Sequence, residues 1–473
     1  MKTAEAYLDS LRARDLELWV DGERVADPVA HRKVRPAIEA IAATYRFAHL
    51  PETRALATAH SDLIDGPVNR FTHLFREPAD LLRKLELQRA LGRATGTCFQ
   101  RCVGMDGINA TFIATHEAGP AAHARFVAWL AHVQREDLTL NGAMTDVKAA
   151  DRTLRPAQAP EAYVRVVARR ADGLVLRGVK AHQTGAANAH EILVMPGQAL
   201  RPGEEDFAVA CALPVDAPGV RMILGRQPSD ERKGTADAGI HRYGGQECLV
   251  VLDDVFVPWE RVFLDGALGP AATLVEVFSS YHRASYGGCK PGNLDVLIGA
   301  TELLSRIHGT RKAAHVRDKL VQMVHWTETV AGLGLAASTK ATLHPAGVWT
   351  VDPVLANVCK HHVTELPYQI VRLAEDLAGG MVSTLPSLDD LDHPEIGSDV
   401  RLAAGTPDRA KLLRLVESMA YGSHSVPLRI ECMHGAGSPQ AQRIVLERHT
   451  DWDARAALAA RLAGLDGGGE PLP

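Results

Sequence analysis

The chain has 473 residues, 52 Lys and Arg against 57 Asp and Glu, and a formal charge of −5, with both signs mixed along its length. That balance excludes the basic stripe of a nucleic-acid or membrane-surface protein and points to a small-molecule partner. Seven cysteines, an odd number scattered over a chain long enough to bury several apolar cores, read as free thiols of a reducing cytoplasm rather than a disulfide framework.

The opening "MKTAEAYLDSLRARDLELW" is an amphipathic, charged helix pattern without the apolar run of a signal peptide, and no stretch approaches the roughly eighteen apolar residues of a membrane helix. Helical spacing dominates to about residue 140, as in "EPADLLRKLELQRALGRATGTCFQRC", where Pro78 and Asp80 mark a helix start. Between about 141 and 265 the period shortens: "YVRVVARRADGLVLRG" reads as two strands around an Asp172-Gly173 turn, followed by "HEILVMP", "DFAVACALPV" and "ECLVVLDDVFVP". "GALGPAA" (266–272) reads as a linker, and long helical patterns then resume, as over 300–338. The predicted architecture is α+β: an N-terminal helical domain (1–140), a middle β domain (141–265), a C-terminal helical bundle (273–464) and a loose tail, "LDGGGEPLP" (465–473).

Two segments hold residue types that carry chemistry. "SSYHRASYGGCKPG" (279–292) places His282, Tyr286, Cys289 and Lys290 around a Gly-Gly break; by itself a His and a Cys seven apart read as a packed pair at a helix end. "TGTCFQRCVGMDG" places Cys98 and Cys102 four apart on a helical stretch, so the sulfurs project from one face, either into a core or into a shared site. Together Cys98, Cys102, His282 and Cys289 make a set of three thiols and one imidazole, enough for a tetrahedral zinc or, with sulfide, an iron-sulfur cluster. Cys211, Cys248, Cys359 and Cys432 have no such partners and read as core thiols.

The motifs "CFQRCVGMD", "GAMTD", "RGVKAHQTG", "GGQE", "YHRASYGGCK", "LANVCK", "IVRLAEDLAGG" and "MHGAGSPQAQRI" span nearly the whole chain, and in them it resembles the 4-hydroxybutyryl-CoA dehydratases. These belong to the flavoprotein family that also contains the 4-hydroxyphenylacetate 3-monooxygenases. The resemblance implies an acyl-CoA dehydrogenase-like fold that binds FAD without a glycine-rich phosphate loop, and a homotetramer with active sites near subunit contacts. It implies that Cys98, Cys102, His282 and Cys289 hold a 4Fe-4S cluster, which the monooxygenases lack. His282 would be both iron ligand and base, Tyr286 a proton donor, and Glu247, Glu431 and Lys290 further catalytic groups. Gln100, Met144, Thr145, Asp146, His182, Gln183, Thr184, Gly379 and Gly380 would line the cofactor, with Lys148 and Arg152 meeting phosphates of FAD or CoA. Gly379-Gly380 also has the form of an ordinary helix stop.

The implied reaction removes water from 4-hydroxybutyryl-CoA to give crotonyl-CoA and also isomerises vinylacetyl-CoA. The thioester acidifies C2 but not C3, so a flavin that withdraws one electron after C2 deprotonation would make the C3 hydrogen acidic, and an iron would take the hydroxyl leaving C4. Two features depart from the pattern. Leu428, Ile430 and Cys432 stand where the dehydratases carry Tyr, Thr and Ser, and 389–411 is short for this family; both bear on the acyl group. The alternatives are the same chemistry on another 4-hydroxyacyl-CoA, a flavin-dependent aromatic hydroxylase served by a reductase, and a non-catalytic relative.

Overall fold

The computed structural model describes residues 1–225, 242–422 and 424–465, so the tail expected at 465–473 lies outside the described residues but for Leu465. The architecture is mixed helix and sheet. Strands fill the middle of the chain as their period predicts: Arg165–Arg169 and Gly173–Thr184 pair antiparallel across the Asp172-Gly173 turn. A six-stranded sheet runs in the order Glu23–Arg24, Leu18–Val20, Val220–Leu224, Glu247–Pro258, Gly173–Thr184 and Arg165–Arg169. A four-stranded sheet runs Val262–Asp265, Val209–Pro214, Glu191–Val194 and Leu140–Ala143. Their apolar faces share one core with Tyr7, Ile38, Ile41 and Tyr45 of two N-terminal helices. Two strands of the larger sheet thus come from the N-terminal third, where periodicity predicts helices; three- and two-residue strands are too short to register as an alternating pattern.

The helix Pro78–Thr95 begins on a capping box between Glu77 and Asp80 and ends on Gly96 at φ 64°. The next helix begins only at Cys102, after Gln100 has turned the backbone through φ 62°. Cys98 therefore lies on a non-helical connection and not on one helical face with Cys102, because two left-handed residues, Gly96 and Gln100, separate the two helices.

The Gly-Gly break expected at 287–288 is absent. Leu268–Ile307 is one continuous 40-residue helix, beginning inside the expected linker, with Pro291 within it. The glycines serve close packing. A Cβ at Gly287 would stand 2.6 Å from the Gly334 Cα, one at Gly288 2.7 Å from the Leu85 carbonyl oxygen, and one at Gly292 2.3 Å from that of Arg89. Helices Pro78–Thr95 and Ala314–Thr339 can therefore approach the long helix backbone to backbone. Gly292→Ala is expected to lower stability: the ~1 kcal/mol helix-propensity gain is outweighed by overpacking of about 1–3 kcal/mol against a carbonyl that cannot rotate away, and thermal unfolding would read the net loss. No described helix is long and apolar enough to cross a membrane.

Candidate active site

The middle of the long helix faces helix Cys102–Ala118, and Asp106 joins the two. This carboxylate is fully buried; its Oδ2 accepts hydrogen bonds from His282 Nδ1 and Ser285 Oγ, each at 2.9 Å, and its Oδ1 is bonded by Lys84 Nζ. The His282 ring stacks on Phe278 at 5.5 Å and meets Tyr286 edge-on at 5.6 Å. The Asp106 carboxyl is held below its usual range: burial opposes ionisation, but Lys84 and the His282 hydrogen bond outweigh it.

Cys102 and Cys289 are buried and Cys98 half-buried. Burial pushes all three thiols up, and each feels the others or the same neighbours: Glu431 and Cys102 add to the shift of Cys98, Cys289 and Asp106 to that of Cys102, and Glu431 to that of Cys289. The three sulfurs thus share one electrostatic neighbourhood with Lys290 and Glu431. A single tetrahedral ion needs its donors about 2.0–2.3 Å from one point, and among the described residues no three His, Cys, Asp or Glu side chains offer such a group. A four-iron cluster takes one side chain per iron, so its donors stand around it rather than together; three soft thiols and one imidazole suit it in donor type.

Beyond Cys289, Lys290 Nζ pairs with Glu431 Oε2 at 2.7 Å inside the protein and lies 5.0 Å from the Tyr286 ring centroid. Burial works against the ammonium, yet the Glu431 carboxylate and the Cys289 thiol raise its pKa well above the lysine range. Lys360 Nζ lies 4.6 Å from the Tyr286 centroid; burial lowers its pKa to about 8. Tyr286 packs with Val330, Cys359, Val363 and Cys432, and burial pushes its phenol well up. The register that sets Glu247 opposite Thr184 lets the Thr184 hydroxyl donate to Glu247 Oε1 at 2.6 Å. Burial first, then the Glu431 carboxylate, raises Glu247 to about 8, while one Glu431 oxygen, Oε1, is buried without a hydrogen-bond partner among the described residues.

Glu247 has a consequence for stability. From its ordinary 4.5 up to about 8, the folded chain holds a proton there that the unfolded chain has released, so stability falls as pH rises through that window. Urea unfolding from pH 5 to 8 is expected to show this decline, and Glu247→Gln to lack that component.

The remaining predicted residues divide. Gln100 spends its amide on the Ala37 and Gly244 carbonyls and on Asn188. Gln183 bonds the Ala181 and Thr145 carbonyls, and Asp146 pairs with Lys180 Nζ at 2.9 Å and accepts from Val164 N. These three, with Met144, whose carbonyl accepts from Lys180, hold the loop in place. Thr145 and His182 are exposed, and Arg152 reaches the Val147 carbonyl. His182 and Lys148 adopt φ 56° and 65°. Partial desolvation of the ring lowers the His182 pKa although the residue as a whole is exposed, and His434, Arg152 and Lys148 lower it further, so four basic side chains lie together, in charge a fit for phosphate groups. Gly379, at φ 80°, ends the helix Leu366–Ala378, and a Cβ at it or at Gly380 would meet nothing within 4 Å. Sequence reasoning missed Asp106, Lys84, Ser285 and Lys360. Asp106 had one legible signal: it follows Cys102 by four and is the one charged residue of its helix before the last turn, a charge that must find a buried partner.

Residues 3–264 match the family described as 4-hydroxyphenylacetate 3-hydroxylase N terminal, and residues 271–464 match its C-terminal counterpart. The chain is 44% identical to the 4-hydroxybutyryl-CoA dehydratase/vinylacetyl-CoA-Delta-isomerase of Clostridium aminobutyricum, over 98% of this chain and 100% of that protein. Its fold superposes on an oxygen-tolerant archaeal 4-hydroxybutyryl-CoA dehydratase from N. maritimus with a TM-score of 0.95, at 42% identity, covering 100% of this chain and 96% of the other. The oxygenase component of 4-hydroxyphenylacetate 3-monooxygenase, solved with FAD and 4-hydroxyphenylacetate, shares the fold at a TM-score of 0.87 and 21% identity, over 99% of this chain and 100% of the other. The chain therefore belongs to the 4-hydroxyphenylacetate 3-hydroxylase family, and within it is similar over its whole length to a 4-hydroxybutyryl-CoA dehydratase.

Proposed function

We propose that this chain dehydrates 4-hydroxybutyryl-CoA to crotonyl-CoA and isomerises vinylacetyl-CoA, with FAD and a 4Fe-4S cluster, in an acyl-CoA dehydrogenase-like fold assembled as a cytoplasmic homotetramer. One observation carries the reading: three buried or half-buried thiols, an imidazole backed by a carboxylate, and the carboxyls of Glu247 and Glu431, the latter paired with Lys290, gather around one stretch of the long helix.

Cys98, Cys102, Cys289 and the Nε2 of His282 would hold the cluster, and Lys148, Arg152 and His182 would take the phosphates of FAD or CoA. When bound, the flavin supplies a one-electron acceptor and the cluster a Lewis-acidic iron for the departing hydroxyl. The protein's own groups move the protons. The two neighbouring carboxyls differ in their surroundings: Glu247 keeps its proton near neutrality and Glu431 pairs with Lys290. The unpartnered Oε1 of Glu431 is then the acceptor for the C2 proton and Glu247 the reserve donor. The one free lone pair of His282, on Nε2, would hold iron at rest and take the C3 proton only when released from the iron. The two protons removed are returned, one to the departing hydroxyl and one to C4; Tyr286, kept protonated by burial, would donate to the hydroxyl, and its contacts with Val330, Cys359 and Val363 keep water out.

The departures are narrower than the residue types suggest. Cys432 packs with Tyr286, whereas Leu428 lies in the core of the C-terminal helices and Ile430 is 57% exposed, so one of the three side chains is in contact with a named site residue. The parent acyl group is retained as substrate, with other 4-hydroxyacyl-CoA thioesters as the alternative. An aromatic hydroxylase, the second reading, has no use for the thiols. The tetramer rests on the family resemblance alone.

Anaerobic purification with iron, sulfide and flavin analysis, joined to an assay with 4-hydroxybutyryl-CoA, tests the proposal. About four irons and four sulfides per chain with turnover are expected. Water loss without a cluster rejects the mechanism, a cluster without turnover points to another thioester, and a cluster-free flavoprotein that hydroxylates phenols favours the second reading.

A further inference from the structure

We propose that Asp106, paired with Lys84, is a positioning residue that fixes His282 as its Nδ1–H tautomer and leaves Nε2 with the free lone pair. Asp106 Oδ2 lies 2.9 Å from His282 Nδ1. An ionised carboxylate has only acceptor lone pairs, so a nitrogen at that distance must carry the hydrogen; the other tautomer would set two lone pairs against each other.

Asp106 is kept an acceptor by what surrounds it. Lys84, 1% exposed, bonds its other oxygen and also donates to the Tyr281 carbonyl at 3.2 Å. The Lys84 ammonium sits 5.1 Å from the Phe75 ring centroid and 5.6 Å from that of Tyr281, so it is solvated by aromatic faces rather than by water. Ser285 Oγ fills the remaining lone-pair direction on Oδ2. Lys84, Asp106 and His282 come from three different helices, Pro78–Thr95, Cys102–Ala118 and Leu268–Ile307, and Phe278 stacks on the ring. The imidazole is therefore held in rotation as well as in tautomer. A buried ion pair contributes little to stability by itself but specifies one arrangement of the groups it joins. A carboxylate behind a metal-bound histidine is the usual way of orienting such a ring.

Use of the Nε2 lone pair as an iron ligand rests on the function proposed above, whereas the tautomer does not. The full chain, labelled with 15N at histidine, separates the two. His282 is assigned by the loss of its signals in His282→Gln, and the wild-type chain without its cluster is expected to show a protonated Nδ1 and a pyridine-like Nε2. In Asp106→Asn the one remaining oxygen stays with Lys84 and the amide NH2 turns to the imidazole, so the proton is expected to move to Nε2. In the loaded enzyme the same change is expected to remove the imidazole 14N coupling from the pulsed EPR spectrum of the reduced cluster and to weaken iron retention by about 10–100-fold, with Asp106→Glu recovering part of both. A wild-type His282 protonated at Nε2 overturns the proposal, as does a folded Asp106→Asn chain with unchanged tautomer and coupling. Should Asp106→Asn fail to fold, the wild-type spectrum decides. Should no cluster load into the wild type, the proposed function fails and the tautomer result still stands or falls alone.

Discussion

His282→Ala is expected to lower dehydration by about 10⁴-fold while leaving a folded protein that retains part of its iron. The large effect follows from asking one side chain for two tasks, ligand and base, with no neighbour placed to replace it. The small effect on folding follows from the local accounting. Asp106 loses one of three partners but keeps Lys84 and Ser285, so the buried carboxylate is not orphaned, and the cost should be that of one charge-assisted hydrogen bond, about 1.5–3 kcal/mol. Three thiols remain to hold iron. Single-turnover water loss, measured beside iron and sulfide content and a thermal melt, checks all three parts; turnover above a tenth of wild type would remove His282 from the mechanism.

Lys290→Met or Glu431→Gln alone is expected to cost about 3–5 kcal/mol of folding stability, and the double variant much less than the sum. Both side chains are buried, at 2% and 9% exposure, so removing one partner strands the other's charge or polar group in a medium that cannot solvate it. Removing both leaves methionine and an amide, neither of which carries a full charge. The exposed pair Arg177–Asp254, at 47% and 50% exposure, forms the contrast, with an expected loss of about 0–1 kcal/mol. Denaturant unfolding of the four chains measures the coupling, and additive losses would show that the pair does not act as a unit. All three variants are expected to lose turnover as well, which separates their catalytic loss, common to all, from their stability loss, which the double variant recovers.

Several parts of this protein were legible before any fold was known. The shift from helical to strand spacing near 140, the Asp172-Gly173 turn and the capping signals at Pro78 and Asp80 each express a local preference, and each element formed where that preference lay. The same reasoning misread Gly287 and Gly288, because a glycine that interrupts a helix and one that lets a second helix pack against it carry the same letter. Cys98 was misread for the converse reason: spacing of four implies a shared face only if no residue between turns the chain, and Gln100, not a glycine, takes the left-handed conformation. The family resemblance named the thiols, His282, Tyr286, Lys290 and both glutamates, but was silent on Asp106, Lys84 and Lys360.

The sequence by itself determined the order of helices and strands, the stock of donor atoms and the family, since these depend on neighbours along the chain and on residue identity. Only the tertiary structure decided which charges meet: Lys84 with Asp106, 22 residues apart, and Lys290 with Glu431, 141 apart. Such pairs form because a charge taken out of water must find its counterpart wherever packing brings one, and packing is settled by the whole chain at once.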